Sequence, residues 1–142
     1  MLQCTHSVAP IALVALANFL LSWVWYSPLL FAKPWMIALG LDPNRGAKDM
    51  TDAEKRRMPF LFLGGALSSV LRATALAVLA SSLGAKTFSD GAAIGLLTWA
   101  GFALTYSFDT LWEGRKGKVL LINNGLLVLT HATFGGVLAI WG

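Results

Sequence analysis

Apolar runs separated by short charged segments divide the chain into four parts. Residues 1–32 contain no Asp, Glu, Lys or Arg. The run closes in Trp23-Val24-Trp25-Tyr26-Ser27-Pro28-Leu29-Leu30-Phe31-Ala32-Lys33-Pro34-Trp35, which holds the first charge of the chain. Indole and phenol rings favour the headgroup level of a bilayer, where one end is dry and the other wet. Three tryptophans and a tyrosine beside the first lysine therefore read as a helix leaving a membrane, with Trp23, Trp25, Tyr26 and Trp35 as interface anchors. The first span is predicted over 8–31, ~36 Å of helix against a hydrocarbon core of ~30 Å. Pro28 is placed in its last turn, where a missing N–H costs least.

The same pattern predicts spans over 58–83, 91–112 and 119–141. Between the first two lie residues 33–57. There Trp35-Met36-Ile37-Ala38-Leu39-Gly40-Leu41 is too short to cross and is expected to form an interfacial helix started by Pro34. Asp42-Pro43-Asn44-Arg45-Gly46 is turn chemistry. Thr51-Asp52-Ala53-Glu54 has capping-box spacing and predicts a short helix running toward the second span. Ser89 or Asp90 is the expected cap of the third span, and residues 113–118 form a basic turn before the fourth. The fold class that follows is all-α: one polytopic membrane domain over 1–142, with four transmembrane helices and a short interfacial helix in the first loop.

Composition agrees. Of 142 residues, 56% are hydrophobic and 13% charged, about half the ~25% charge of soluble domains, and mean hydropathy is +0.66. The net charge of +4 lies between the apolar runs instead of on one face, so membrane-flanking residues explain it and nucleic acid is not an expected partner. Residues 33–57 hold six of the eleven Lys and Arg, residues 113–118 hold three, and the loop between the second and third spans holds Lys86 alone. The positive-inside rule then places 33–57 and 113–118 in the cytoplasm and both termini outside. Ala15-Leu16-Ala17 resembles a signal-peptidase site, but no basic residue precedes it and the apolar run continues past it, so a retained span is expected. Cys4 has no second cysteine to pair with. His6 and His131 fall in separate elements, and neither a metal site nor a cofactor is expected.

Counting ~1.5 Å per residue puts Asn18 ~15 Å below one membrane edge, and Arg72 ~21 Å and His131 ~18 Å above the other. Three polar side chains on three helices thus share the midplane. A second polar layer nearer the basic loops collects Tyr26, Ser27, Asp109, Asn123 and Asn124. On the third span Gly95, Trp99, Phe102, Tyr106 and Asp109 recur at helical spacing and predict one polar-aromatic face. Asn124, Val128, His131 and Gly135 repeat that spacing on the fourth, and Gly65, Ser68, Ser69, Arg72 and Ala75 line a small-residue face on the second. Arginine at the bilayer centre costs ~2.5 kcal/mol or more, so Arg72 needs a partner, water or a ligand. The candidate ligand-binding or translocation set is Arg72, Asn18, His131, Trp99, Tyr106 and Asp109. Asp109 lies ~17 Å too near the basic loops to pair with Arg72 and is expected to meet those loops or Tyr26.

Trp25-Tyr26-Ser27-Pro28-Leu29-Leu30-Phe31 followed by Lys33-Pro34-Trp35 resembles the small bacterial membrane proteins of domain-of-unknown-function family 1761. Trp99-Ala100-Gly101-Phe102, Trp112-Glu113-Gly114-Arg115 and Gly125 resemble later patterns of that family, so the likeness covers essentially the whole chain. Ala32 and Leu126 stand where glycine and tyrosine are typical. The resemblance implies a four-helix bacterial inner-membrane protein and brings no activity with it. No catalytic residues are identified: neither a Ser/His/Asp set, a phosphate loop nor His-Glu-x-x-His occurs. The expected function is therefore non-enzymatic, transport or binding of a small solute or ion at the midplane site of a homo-oligomer in the lipid bilayer. The alternative is an accessory or assembly subunit with a membrane-protein partner. A lipid-modifying enzyme using Asp109 and His131 is the weakest reading, because their depths differ.

Overall fold

The computed structural model describes residues 7–141; Cys4 and His6 lie outside them. The described residues form helices α1 (Val8–Trp25), α2 (Ala32–Leu39), α3 (Asp52–Ser82), α4 (Phe88–Thr98), α5 (Thr105–Trp112) and α6 (Gly117–Trp141), with a 3-10 turn at Ala47–Asp49 and a π-helical segment at Trp99–Leu104 joining α4 to α5. Four continuous helices are long and apolar enough to cross a membrane: Val8–Trp25, Asp52–Ser82, Phe88–Trp112 and Gly117–Trp141. Large apolar side chains stay exposed along their outer faces, among them Leu16 and Leu20 on α1 and Leu63, Leu67 and Leu71 on α3. Such a surface suits lipid.

α1 ends at Trp25, six residues before the expected Phe31. Pro28 therefore lies beyond the helix, not in its last turn. The residue before a proline is pushed out of the α region, and Ser27 closes the chain into a turn: its Oγ donates to Val24 O at 2.7 Å, and its carbonyl accepts from Ala32 N at 3.1 Å. α2 follows directly and stops at Gly40, whose φ of 77° permits the left-handed cap. The capping box at Thr51 and Glu54 forms, but the helix it starts does not stop before the second span. α3 runs without a break for 31 residues, with Pro59 inside it. The third span is capped by Thr87, whose Oγ1 accepts from Asp90 N at 3.2 Å, while the Asp90 carboxylate accepts from Thr87 N at 3.1 Å. Asp90 is thus the far corner of a capping box and Ser89 takes no part in it, so the helix starts three residues earlier than expected.

Arg45 ties the first loop to the start of α3, ahead of the apolar stretch that begins at Met58. Both its terminal nitrogens donate to the Glu54 carboxylate, at 2.7 and 2.6 Å. That fork, together with the Thr51 N–H and hydroxyl, holds the Glu54 carboxyl at about 2. A carboxyl lowered in the folded state supports the folded loop above its ordinary 4.5 and stops doing so as pH falls through about 2. Arg45→Gln is expected to return the Glu54 titration toward 4.5, as read by carbon-13 NMR of its side-chain carboxyl. An unmoved titration would mean that the fork does not form in solution.

α6 is the centre of the bundle: 44% of its apolar window is buried, against 22% or less for the other three. Val14 and Ala15 of α1, Ala73, Leu76 and Ala77 of α3, and Leu138 of α6 make the buried core, at the end away from the basic loops. α4 crosses α6 at closest range. A Cβ on Gly91 would fall on the Gly135 carbonyl, one on Gly95 on the His131 carbonyl, and one on Gly136 against the Phe88 ring. The small-residue positions of α4 and α6 are thus used within the bundle, letting two backbones touch.

Candidate binding cleft around Arg72

The midplane polar residues come together as the depth count predicts for Asn18 and Arg72. The buried Asn18 amide donates from Nδ2 to Ser69 Oγ at 2.6 Å, and its Oδ1 accepts from Arg72 Nη1 at 3.1 Å. The same nitrogen reaches Thr130 Oγ1 at 3.5 Å. The Ser69 hydroxyl donates to Gly65 O, and the Thr130 hydroxyl donates to Leu127 O. Each helix supplies its member through ordinary i, i+4 or i, i+3 geometry, so the network is built into the helix faces. Every acceptor that Arg72 finds is neutral. No carboxylate among the described residues pairs with it, and its Nε and Nη2 make no hydrogen bond to them.

Arg72 lines a cleft of about 690 Å³ between α3, the third span and α6, within the ~300–1,000 Å³ common for small-molecule sites. The cleft exists because the third span does not follow α6 to its end. α4 is pinned on α6 by Gly91 and Gly95, and beyond the π segment α5 scarcely touches it. An extra residue in one turn rotates the following face by about 100°. Thr98 and Thr105 brace the segment, with hydroxyls donating to Gly95 O at 2.8 Å and Gly101 O at 2.9 Å.

That rotation divides the predicted stripe. Gly95 is buried under α6, Trp99 donates from Nε1 to Asn124 Oδ1 at 3.0 Å, and Phe102 and Tyr106 line the cleft. Asp109 is exposed, lies outside the cleft, and makes no hydrogen bond or ion pair with any described residue. The expected contact of Asp109 with the basic loops or Tyr26 is therefore not made at hydrogen-bond or ion-pair distance, Asp109 being exposed on α5.

His131 borders the cleft beside Thr130. Its Nδ1–H donates to Leu127 O at 2.7 Å, and Nε2 opens on the cleft without a protein partner. Arg115, in the turn before α6, stands at the other end, about 21 Å along α6. Leu76, Leu79, Phe102 and Leu127 form much of the wall, with Ser68, Thr98, Ser107 and Thr110 contributing hydroxyls. Among the described residues no three histidine, cysteine or carboxylate side chains converge. What the cleft offers a ligand is two guanidinium groups, hydroxyls, one imidazole nitrogen and apolar surface. Thr130 is absent from the sequence reading, Ser69 enters it only through the small-residue face of the second span, and Arg115 only through the basic turn and the Trp112–Arg115 pattern. Thr130 had a signal, since it adjoins His131 at the same depth; Arg115 had none beyond its charge.

The second polar layer straps the first loop onto α6. Trp25 Nε1 donates to Ile122 O at 3.0 Å, and Asn123 Oδ1 accepts both from the Tyr26 hydroxyl at 2.8 Å and from Trp35 Nε1 at 3.2 Å. Phe31 covers Trp25 at a ring-centroid distance of 4.5 Å. Trp23 points outward and stacks on Phe19 and Phe62. Three of the four residues read as interface anchors therefore spend their polar atoms on the fourth span or the loop that meets it.

The family model described as protein of unknown function (DUF1761) matches residues 9–139, and the chain belongs to that family. No curated protein and no solved structure matches it.

Proposed function

We propose that this DUF1761 protein binds a small anion inside the membrane, in the cleft at Arg72, as the binding step of solute transport. The observation that carries the reading is a cation midway along α3 that lines an open cleft, whose partners are all neutral and which keeps unbonded donors. A structural arginine at that depth would be expected to spend its fork on a carboxylate or on backbone carbonyls. Here Asn18 and Thr130 steady one nitrogen and leave the others available. The concentration of Lys and Arg in residues 33–57 and 113–118 supports a cleft mouth on the cytoplasmic side of a bacterial inner membrane, with both termini opposite.

Native mass spectrometry of the protein released gently from its own membranes tests this. The expected spectrum carries a bound small molecule that Arg72→Gln loses while the protein stays folded. Retention of the same mass by the variant would refute the site. Stoichiometric association with another membrane protein and no small molecule would favour the subunit reading instead.

A further inference from the structure

We infer that the ligand of the Arg72 cleft is a hydrophobic carboxylic acid that enters sideways from the bilayer, between α3 and α5. The inference rests on the anion-binding reading above and names the chemistry. Three features carry it. The flank between α3 and α5 is open: α3 meets α4 but makes no extensive contact with α5, and Phe102 and Tyr106, on the cleft wall, are 75% and 66% exposed. A hydrated inorganic ion at Arg72 would face lipid along that flank, where nothing replaces its water. An apolar body filling the gap against Phe102, Leu76 and Leu127 removes the problem.

The depth of Arg72 selects the acid group. A phosphate or sulfate head stays charged and is held at the membrane surface, whereas a carboxylic acid is neutral in its protonated form and can reach mid-depth within the bilayer. At the site the groups around it are Arg72 from α3, Tyr106 from α5 and His131 from α6, with Tyr26 behind Arg72 and Arg115 at the far end of the cleft. His131 Nε2 is open to the cleft because Nδ1–H is committed to Leu127 O. The acid O–H bond breaks, its proton passes to Nε2, and the carboxylate accepts from the free Arg72 nitrogens. Charge is conserved, and the anion lies between two cations.

The test uses the full chain in nanodiscs of zwitterionic lipid and decanoic acid carrying carbon-13 in its carboxyl group. The expected result is a protein-bound, ionised carboxylate resonance displaced by unlabelled decanoate. Arg72→Gln should weaken that binding about tenfold or more. Asn18→Asp should do the same by giving Arg72 an internal carboxylate while leaving the cation in place, so a loss there does not depend on Arg72→Gln folding. Decyl phosphate should bind about tenfold more weakly than decanoate if entry requires a neutral form. A bound signal that survives both variants, or decyl phosphate binding as well as decanoate, overturns the inference. Inorganic phosphate binding that depends on Arg72, with no decanoate binding, would overturn it while leaving the anion site intact. If neither probe depends on Arg72, both readings fail.

Discussion

Gly95→Ala is expected to cost about 3 kcal/mol of folding free energy, the upper part of the range for overpacking a tight contact. A Cβ at this position falls on the carbonyl group of His131, and the Ala132 nitrogen lies 3.2 Å away. The obstacles are backbone atoms of a neighbouring helix, so no rotamer change relieves them. α4 must move off α6 along the pair's closest contact. Gly64→Ala on α3 is the matched comparison, because nothing lies within 4 Å of its Cβ position. It is expected to stay within about 1 kcal/mol of the parent, with any gain coming from helix propensity. Unfolding midpoints in mixed detergent micelles would read both. Equal midpoints for the two variants would mean that α4 and α6 are not in backbone contact. The obstacle at Gly95 belongs to the residue whose ring borders the cleft, so Gly95→Ala should also weaken ligand binding more than its distance from Arg72 suggests.

That coupling marks the boundary between what the chain's pattern discloses and what only packing discloses. Four apolar runs are legible because a bilayer demands spans of set length, and the Thr51–Glu54 box is legible because a cap is local chemistry. The meeting of Asn18 with Arg72 follows from counting rise per residue along antiparallel spans. Local ambiguity explains the errors at the ends: Pro28 is compatible with a last helical turn or with the turn after it, and Thr87, Ser89 and Asp90 are all competent caps. The π segment at Trp99–Leu104 has no periodic signature, since it is a single slip within an otherwise helical repeat. It displaces Asp109 from the face predicted to carry it and separates α5 from α6. The cleft is a product of that slip acting with the glycine contact, so no reading of one helix at a time contains it.

Asn18→Leu is expected to destabilise the protein by about 3 kcal/mol, mainly through Arg72. The substitution keeps the side chain's size and raises its apolarity, so area burial alone would make it neutral or favourable. What it removes is the closest acceptor of a guanidinium, at 3.1 Å, and the donor to Ser69 Oγ, at 2.6 Å. A hydrogen bond to a charged group contributes about 1.5–3 kcal/mol, and a stranded buried partner adds its own desolvation cost. Thr130, at 3.5 Å, is too distant to take over. The cost should therefore depend on the cation still being present. In Arg72→Met the same Asn18→Leu change should cost about 1 kcal/mol or less, a coupling near 2 kcal/mol that a double-mutant cycle isolates. Additive effects in that cycle would show that Asn18 holds α1 against α3 through Ser69 alone, and that Arg72 is solvated by water in the cleft. The coupled result would place Asn18 as the residue that positions the cation, since an arginine held by one nitrogen presents its remaining donors in a fixed direction. The ligand then meets a preorganised fork at mid-depth, and the ordering cost of binding falls on the ligand and not on the protein.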